Sequence, residues 1–132
     1  KKGVFKMKSV VSTSKAPAAI GPYSQAIKAN GFLFLSGQCP FDPATGAIVG
    51  TNAVEQATQV LNNMQAILED QGLGFADVVK VTCFIKNMGD FGKINEVYAK
   101  YFQKDCPARS CVEVARLPKD VQVEIEAIAV LK

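Results

Sequence analysis

The sequence predicts one α/β (α+β) domain whose single β-sheet is covered on one face by two helices. The chain has 132 residues, of which 48% are hydrophobic and 20% are charged, as expected for one compact domain. Segments with strand character lie at the start, middle and end, and a helical pattern separates them. Two helices can cover only one face of a sheet this size. The other face needs a partner, and self-association is the economical way to supply one.

The first third of the chain is predicted to contain a loop, a buried strand and a turn. Two prolines and a glycine punctuate residues 16–25, which predicts an irregular loop. Residues 31–37 form an apolar run bounded by glycines, which is typical of a buried strand. Residues 42–46 combine Asp-Pro with a following glycine, and this favours a tight turn.

An amphipathic helix follows this turn. Asn52 can cap the start of the helix. The carboxylate of Glu55, three residues later, can accept a hydrogen bond from the backbone of this cap residue. Gly72 and Gly74 end the helix. Its apolar stripe recurs at spacings of three and four residues and comprises Val54, Ala57, Leu61, Met64 and Leu68.

A strand and a second helix come next. Residues 78–86 are rich in β-branched side chains and form a predicted strand. The second helix runs from about Asp90, its N-cap, to about Gln103, and Pro107 prevents it from continuing. One face of the strand is predicted to be apolar and comprises Val79, Val81, Cys83 and Ile85. The apolar stripe of the helix comprises Phe91, Ile94, Tyr98, Tyr101 and Phe102.

Two strands, at 109–116 and 121–131, close the chain around a turn. Alternate positions of the last strand are apolar, whereas Glu124 and Glu126 lie on its other face. In a tight hairpin Glu113 would face Glu124, and Arg109 would lie about 13 Å further along its strand. Either these strands do not form a simple hairpin, or a cleft that uses both Arg109 and Glu124 joins two chains.

Composition and charge exclude several classes of function. The chain has no histidine, which excludes a Ser-His-Asp triad, a histidine base and histidine metal ligands. It has no phosphate loop, dinucleotide fingerprint or metal-ligand cluster, so neither a cofactor nor a metal is predicted. Lys1, Lys2 and Lys6 supply the whole net charge of +3. Residues 1–6 are therefore interpreted as a tag or tail before a domain at 7–132, and nucleic-acid binding is disfavoured.

The cysteine pattern indicates a reducing compartment. No two of the cysteines Cys39, Cys83, Cys106 and Cys111 form a C-x-x-C motif. Three of them are interpreted as core or near-core thiols, and Cys111 is kept as a site candidate. No apolar run is long enough to span a bilayer, so no membrane partner is predicted. The predicted location is cytoplasmic, and a mitochondrial location is the alternative because the start of the chain is rich in lysine and serine.

Arg109 and Glu124 are the leading catalytic candidates. Arg109 begins a strand in a chain that uses lysine almost everywhere else, and a guanidinium can bind a carboxylate through two hydrogen bonds. Glu124 lies on an apolar strand and is the obvious acid or base in a chain without histidine. The alternatives are an exposed or ion-paired arginine and a structural ion pair of the glutamate, which is favoured for Glu126.

Four further residues are candidates for lining a ligand site. Tyr23 lies in a Gly-Pro-Tyr-Ser turn, where it either offers a hydroxyl and an aromatic wall or anchors the loop. Ser36 and Gly37 close the first strand, and a glycine there either allows close approach of a ligand or simply ends the strand. Asn95 lies beside the apolar stripe of the second helix and either bonds a ligand or faces water.

Four segments of the chain resemble the RidA group of the Rid deaminases. They are APAAIGPYSQA (16–26), LSGQ (35–38), PARSCVEVARLPKD (107–120) and VEIEAIA (123–129). The resemblance implies a chorismate-mutase-like fold with one mixed sheet. It also implies a homotrimer in which three sheets pack inside, the helices lie outside and ligand clefts form between subunits.

The resemblance further implies hydrolysis of the 2-imino acids 2-iminobutanoate and 2-iminopropanoate to 2-keto acids and ammonia, without a cofactor. Arg109 would hold the substrate carboxylate, and Glu124 would position and activate a water molecule. The backbone of Cys111 would line the site and bond the polarised centre. The cleft wall would be completed by Tyr23, Ser36, Gly37 and Asn95.

The two-chain geometry and two rival functions remain as hypotheses. We expect Arg109 and Tyr23 of one site to come from different subunits. A ligand-sensing or protein-binding module that uses the same carboxylate cleft without turnover is the alternative function. RNA cleavage and translation inhibition, with which such proteins are also associated, form a third hypothesis. The lack of histidine and of a basic stripe disfavours that third function.

Overall fold

A computed structural model describes residues 7–132, and the predicted tail at 1–6 lies outside the described residues. This part of the chain forms one six-stranded sheet. The strands are β1 (Ser9–Val11), β2 (Ala26–Ala29), β3 (Phe32–Gln38), β4 (Val78–Ile85), β5 (Ala108–Glu113) and β6 (Val123–Val130). Their order in the sheet is β1-β2-β3-β6-β4-β5. The β4–β5 pair is parallel and the other pairs are antiparallel, so the sheet is mixed, as expected.

Two helices cover one face of this sheet. Helix α1 spans Ala53–Asp70 and helix α2 spans Phe91–Tyr101. Helix α1 packs on β3, on β6 and on α2. Short 3-10 turns precede β4, α2 and β6, at Phe75–Asp77, Met88–Asp90 and Pro118–Asp120. The α+β fold with one-sided helical cover is therefore confirmed.

The start of α1 carries the predicted cap. Asn52 Oδ1 accepts a hydrogen bond from the backbone N–H of Glu55 at 2.9 Å. Glu55 Oε1 accepts from the backbone N–H of Thr51 at 2.9 Å, instead of from that of Asn52. The Glu55 carboxylate therefore accepts its hydrogen bond from the residue before the N-cap, whereas in a standard capping box it accepts from the N-cap residue itself.

The hydrophobic core lies between the sheet and the helices. Leu33 and Ile125 from the sheet are fully buried against Leu61 and Met64 of α1, and Ile94 of α2 extends the same cluster. Most of both predicted helical stripes lie in this cluster or against it, which explains why the 3.6-residue periodicity is a good guide to the helices.

The prediction that Val54 and Val79 face the core is wrong. Val54 is 39% exposed and Val79 is 41% exposed. Ala53, the first residue of α1, takes the inward position beside Val54. The pairing of β4 with β6 shifts register between Val78 and Lys80, so Val78 is buried in place of Val79. A bulge of one residue reverses the in–out alternation of a strand, which is why a regular period of two fails there.

The last two strands of the chain do not form a hairpin. Strand β4 lies between them and pairs with β5 on one side and with β6 on the other. Glu124 therefore lies opposite Phe84 and not opposite Glu113. The sequence left open whether these strands do not form a simple hairpin or whether a cleft joins two chains. The first of these alternatives is confirmed.

The sheet face that points away from the helices is uncovered and partly apolar. Val10, Phe34, Val112 and Val130 are 64%, 41%, 43% and 41% exposed. Each alternates along its strand with residues that face the helices. This is the second face for which a partner is predicted. Within residues 7–132, no helix has the length and apolar character that crossing a membrane would require.

Candidate functional site

A cavity of about 720 Å³ lies where β3 and β6 meet the loops at 17–25 and 41–46. Four of the predicted site residues line it: Tyr23, Ser36, Gly37 and Glu124. Glu124 is half-buried and lies on the uncovered sheet face. Its neighbours along β6, Val123 and Ile125, are buried and face the helices. We call these four residues, together with Cys39, the Glu124 cluster.

Gly37 makes room for the Glu124 side chain. A Cβ atom placed on Gly37 would lie 2.8 Å from Glu124 Cδ and 3.0 Å from Cγ, and it would overlap Oε2. Gly37 has no left-handed backbone conformation, so the requirement for glycine is one of space and not of φ. The close approach that this geometry shows is that of the Glu124 side chain to the Gly37 backbone, and the approach of a ligand stays a prediction.

The thiol of Cys39 contacts the same carboxylate. Cys39 Sγ lies 3.5 Å from Glu124 Oε1 and donates a hydrogen bond to it. Burial, reinforced by the charge of Glu124, raises the pKa of Cys39 to about 12. The group is therefore a neutral thiol at physiological pH. Sequence reasoning placed Cys39 among the core thiols and missed this contact, because the two residues are 85 positions apart.

The loop that carries Tyr23 is held by the buried side chain of Gln25. Its Oε1 accepts from the Thr13 backbone N–H at 2.7 Å, and its Nε2 lies 2.7 Å from the Pro17 carbonyl oxygen. Ser36 Oγ donates to the Ser24 carbonyl oxygen at 2.6 Å, which ties β3 to the same loop. Tyr23 itself is 52% exposed at the edge of the cavity. Nothing in the composition of the loop identified Gln25 in advance, because its partners are backbone atoms.

Arg109 belongs to a second group of predicted residues, on the other side of the sheet. Its Nη1 donates to Asn95 Oδ1 at 2.8 Å. Its guanidinium carbon lies 4.6 Å from the ring centroid of Tyr98 and 5.5 Å from that of Phe91. Phe91, Asn95 and Tyr98 follow one another at spacings of four and three, so one face of α2 supplies all three contacts.

The guanidinium of Arg109 has no acidic neighbour within ion-pair distance among the described residues. The alternative of an ion-paired arginine therefore does not hold for this part of the chain. The planar guanidinium is positioned by the Asn95 amide and by two aromatic rings, and no carboxylate of the described residues neutralises its charge. The same group is able to receive a carboxylate ligand.

Cys111 lies two residues after Arg109, opposite Cys83 of β4. Cys83 is buried and Cys111 is half-buried. Burial raises the pKa of Cys83 to about 12 and also raises that of Cys111, which the Arg109 charge partly offsets. Cys106 is exposed, so its assignment as a near-core thiol is wrong. It falls in the irregular segment after α2, where no helix or strand carries it inward. We call Arg109, Asn95, Tyr98 and Cys111 the Arg109 cluster.

One chain does not bring the two clusters together. Arg109 contacts α2 and so lies on the helix-covered side, whereas Glu124 lies on the uncovered side. Along the sheet, Arg109 pairs with Val81 while Glu124 pairs with Phe84, two strands and three residues apart. Neither side chain can reach a small ligand bound by the other within the same chain.

Two further predictions from the sequence concern an ion pair of Glu126 and the binding of a metal ion. Glu126 is exposed, lines the edge of the cavity and is in neither ion pair of the described residues. The ion pair favoured for it is therefore not found within this part of the chain. Across residues 7–132, no group of three or more cysteine and carboxylate side chains is arranged to hold a metal ion.

The chain is similar to several known proteins. The profile of the family described as Endoribonuclease L-PSP (Ribonuc_L-PSP) matches residues 13–131. A RutC family protein of Pyrococcus horikoshii is 59% identical over 123 residues, which cover 93% of this chain and 98% of the relative. The 2-iminobutanoate/2-iminopropanoate deaminase of Mus musculus is 49% identical over 124 residues, which cover 94% and 92%. The crystal structure of E. coli TdcF with bound serine matches at a TM-score of 0.89 and 47% identity, covering 94% of this chain and 99% of that one.

These similarities extend along nearly the whole described chain and agree with the resemblance found in the sequence motifs. The shared fold confirms the chorismate-mutase-like architecture with one mixed sheet and two helices. The chain therefore belongs to the Ribonuc_L-PSP family, and its relatives include RutC family proteins and a 2-iminobutanoate/2-iminopropanoate deaminase.

Proposed function

We propose that the protein hydrolyses reactive 2-imino acids, such as 2-iminobutanoate and 2-iminopropanoate, to 2-keto acids and ammonia. The observation that carries this proposal is the Arg109 guanidinium, which is held in place but has no acidic neighbour within the described part of the chain. The name of the mouse relative, at 49% identity, supports the same reaction.

The chemistry suits a site that uses neither a metal nor histidine. An imine carbon is already electrophilic, so the protein needs to fix the carboxylate, favour the protonated imine and place a water molecule. Arg109 binds the carboxylate, and Glu124 accepts a proton as the water oxygen bonds to the imine carbon. This addition gives a carbinolamine, and the proton held by Glu124 then passes to its nitrogen. The carbon–nitrogen bond breaks as the hydroxyl loses its proton to water, so the nitrogen leaves as ammonia and the carbon becomes the keto carbon.

In this proposal the two clusters meet between subunits of a homotrimer. The uncovered sheet face, with Phe34, Val112 and Val130 exposed, supplies apolar surface for such an assembly. Tyr23, Ser36, Gly37 and Glu124 of one subunit would then face Arg109, Asn95 and Cys111 of its neighbour. The separation of the clusters on opposite faces of one sheet supports this arrangement.

Ligand binding without turnover is the second candidate function. It is favoured by the bound serine in the E. coli TdcF crystal structure, because serine carries the carboxylate that Arg109 would hold. RNA cleavage is suggested by the description of the family and by the names of similar solved structures, such as that of a "putative endoribonuclease" from Thermotoga maritima. The net charge of +3 comes from residues 1–6, and the chain has no histidine, so this third function is disfavoured.

Release of 2-keto acid from 2-iminobutanoate tests the proposal. A threonine dehydratase generates the imine in the presence of semicarbazide, which traps what is not hydrolysed first. We expect the protein to accelerate release and the Arg109→Ala variant to abolish the acceleration. Arg116→Ala is the matched control, because Arg116 is exposed and paired with Asp120. A correctly assembled wild-type protein that does not accelerate release would favour ligand binding without turnover.

A further inference from the structure

We propose that Cys39 is a positioning residue, whose thiol holds Glu124 in the orientation needed to accept a proton from water. The inference rests on the proposed imine hydrolysis. Cys39 itself does not touch the substrate. It acts through one oxygen of the Glu124 carboxylate and leaves the other free for the reaction.

The geometry distinguishes the two carboxylate oxygens of Glu124. Oε1 accepts a hydrogen bond from Cys39 Sγ at 3.5 Å. Oε2 lies against the backbone of Gly37, in the wall of the cavity, where a Cβ atom would displace it. The thiol therefore engages one oxygen, whereas the other accepts no hydrogen bond from the described residues and belongs to a side chain that lines the cavity.

The thiol is a dependable donor because it does not ionise near neutral pH. Cys39 is buried in a small apolar cluster with Leu117 and Val121, and Phe41 and Phe84 pack against it. Burial and the adjacent carboxylate raise its pKa to about 12. At physiological pH the sulfur therefore keeps its proton, and a hydrogen bond from a neutral donor stabilises the charged carboxylate.

Helix α1 fixes the backbone from which the thiol projects. Asn63 Nδ2 donates to the Cys39 carbonyl oxygen at 3.1 Å and to the Phe41 carbonyl oxygen at 2.9 Å. Asn63 is 1% exposed, and its Oδ1 accepts from Gln59 Nε2 at 2.8 Å. A continuous set of hydrogen bonds thus links α1, the turn after β3 and the carboxylate on β6.

Other titratable side chains share the cavity with Glu124. They are Tyr23 from the first loop, Asp42 from the turn after β3, Lys119 from the turn before β6, and Glu126 on the same strand. Each of these is present in any Cys39 variant. A change that follows replacement of the thiol alone is therefore assigned to the thiol.

The test compares three variants in the full chain. Cys39→Val removes the donor and fills the space, Cys39→Ser keeps a donor, and Val114→Ala is the matched control from the same apolar cluster. We expect kcat of Cys39→Val to fall by about three- to tenfold, with KM within about twofold, because a hydrogen bond to a charged group is lost. Cys39→Ser and Val114→Ala should stay within about twofold of the wild type.

A second readout separates this inference from the proposed function. The carbon-13 chemical shift of the Glu124 carboxyl, identified by the loss of its signal in Glu124→Gln, is compared at one neutral pH in the wild type, Cys39→Val and Cys39→Ser. We expect the signal to move in Cys39→Val, because the hydrogen bond to Oε1 is lost, and to return toward its wild-type position in Cys39→Ser. An active wild type whose Cys39→Val variant has the same kcat and the same chemical shift overturns the inference alone. An inactive wild type overturns the proposed function, and the chemical shift then decides whether the thiol holds Glu124.

Discussion

The two arginines of the chain show how local surroundings separate a surface residue from a candidate ligand-binding residue. Arg116 Nε lies 2.7 Å from Asp120 Oδ1, and the Arg116 side chain is 77% exposed. Such a screened pair contributes little to stability. Arg109 is half-buried, bonded to Asn95 and stacked on Tyr98, so its fork is oriented before any ligand arrives.

Replacement of Gly37 by alanine should inactivate the proposed site without unfolding the protein. The added Cβ must displace the Glu124 carboxylate, because Cδ would be only 2.8 Å away. A displacement of about 1 Å at a catalytic group costs on the order of 100-fold in rate. Keto acid release and the melting temperature are measured together. Gly74→Ala is the control, since no atom lies within 4 Å of a Cβ placed there and its φ is negative. A Gly37→Ala variant with wild-type activity would contradict the role given to Glu124.

Burial should make Cys39 and Cys83 react with iodoacetamide much later than the exposed Cys106. Cys106 is exposed, whereas burial raises the pKa of Cys39 and Cys83 from 9.0 to about 12. At pH 8 such a thiol is ionised in roughly one molecule in 10,000, and only the thiolate is alkylated. Peptide mass spectrometry should therefore find Cys106 modified first, with Cys39 and Cys83 modified only after unfolding. The reaction of the two buried thiols should accelerate as pH rises toward 12. Early modification of Cys39 in the folded protein would contradict its buried contact with Glu124.

At the scale of elements, α2 has two functions on its different faces. Ile94 and Val97 are buried in the hydrophobic core. Phe91, Asn95 and Tyr98 form the adjacent face and surround the Arg109 guanidinium. One helical period therefore positions both the core contacts and the candidate ligand-binding group.

Replacement of Gly92 by alanine should stabilise the protein. Gly92 lies in the first turn of α2, and no atom lies within 4 Å of a Cβ added there. Alanine restricts the unfolded chain more than glycine does, and the gain is about 0.5 to 1 kcal/mol in the free energy of unfolding. Gly72→Ala is the contrasting variant. Gly72 has a φ of +71°, so the same change there should destabilise the protein by a similar or larger amount. Chemical denaturation measures the change in the free energy of unfolding for both variants. Destabilisation by Gly92→Ala would contradict this account of α2.

For the whole molecule, the decisive feature is that the sheet separates the two clusters. A ligand held by both Arg109 and Glu124 needs two chains, because the residues lie on opposite faces of one sheet. The uncovered face carries Val10, Phe34, Val112 and Val130, which would be buried by association with other copies of the chain. Assembly and activity are therefore expected to be lost together.

Mixing of two inactive variants tests the two-chain site. Arg109→Ala and Glu124→Gln should each be inactive when assembled alone. When the two are unfolded together in equal amounts and reassembled, about a quarter of the sites should receive a native Arg109 and a native Glu124 from different chains. Keto acid release should recover to about that fraction of the wild type. The variants assembled separately and then combined are the control.

Light scattering and native mass spectrometry verify the assemblies. A trimer has three times the 14.1 kDa mass of one chain, which is about 42 kDa. Confirmed mixed trimers without recovered activity would contradict a site shared between chains. So would a monomer with full activity.

The sequence by itself determined the local features of this protein. Helical periodicity identified α1 and α2, and Asn52 was recognised as a cap. A run rich in β-branched residues identified β4, and the alternation of apolar residues identified β6. These signals depend on neighbours within a few residues. The motifs around Arg109 and Glu124 identified the family by resemblance, and the similarity to known proteins confirmed it.

Only the tertiary structure decided how distant segments meet. The insertion of β4 between β5 and β6, the register shift that exposes Val79, and the contact between Cys39 and Glu124 all depend on pairings between residues far apart in the chain. A strand period of two specifies which residues share a face, but not which strand lies beside it or where a bulge reverses the alternation. The sequence therefore named most of the candidate site residues, and the sheet decided which of them lie together.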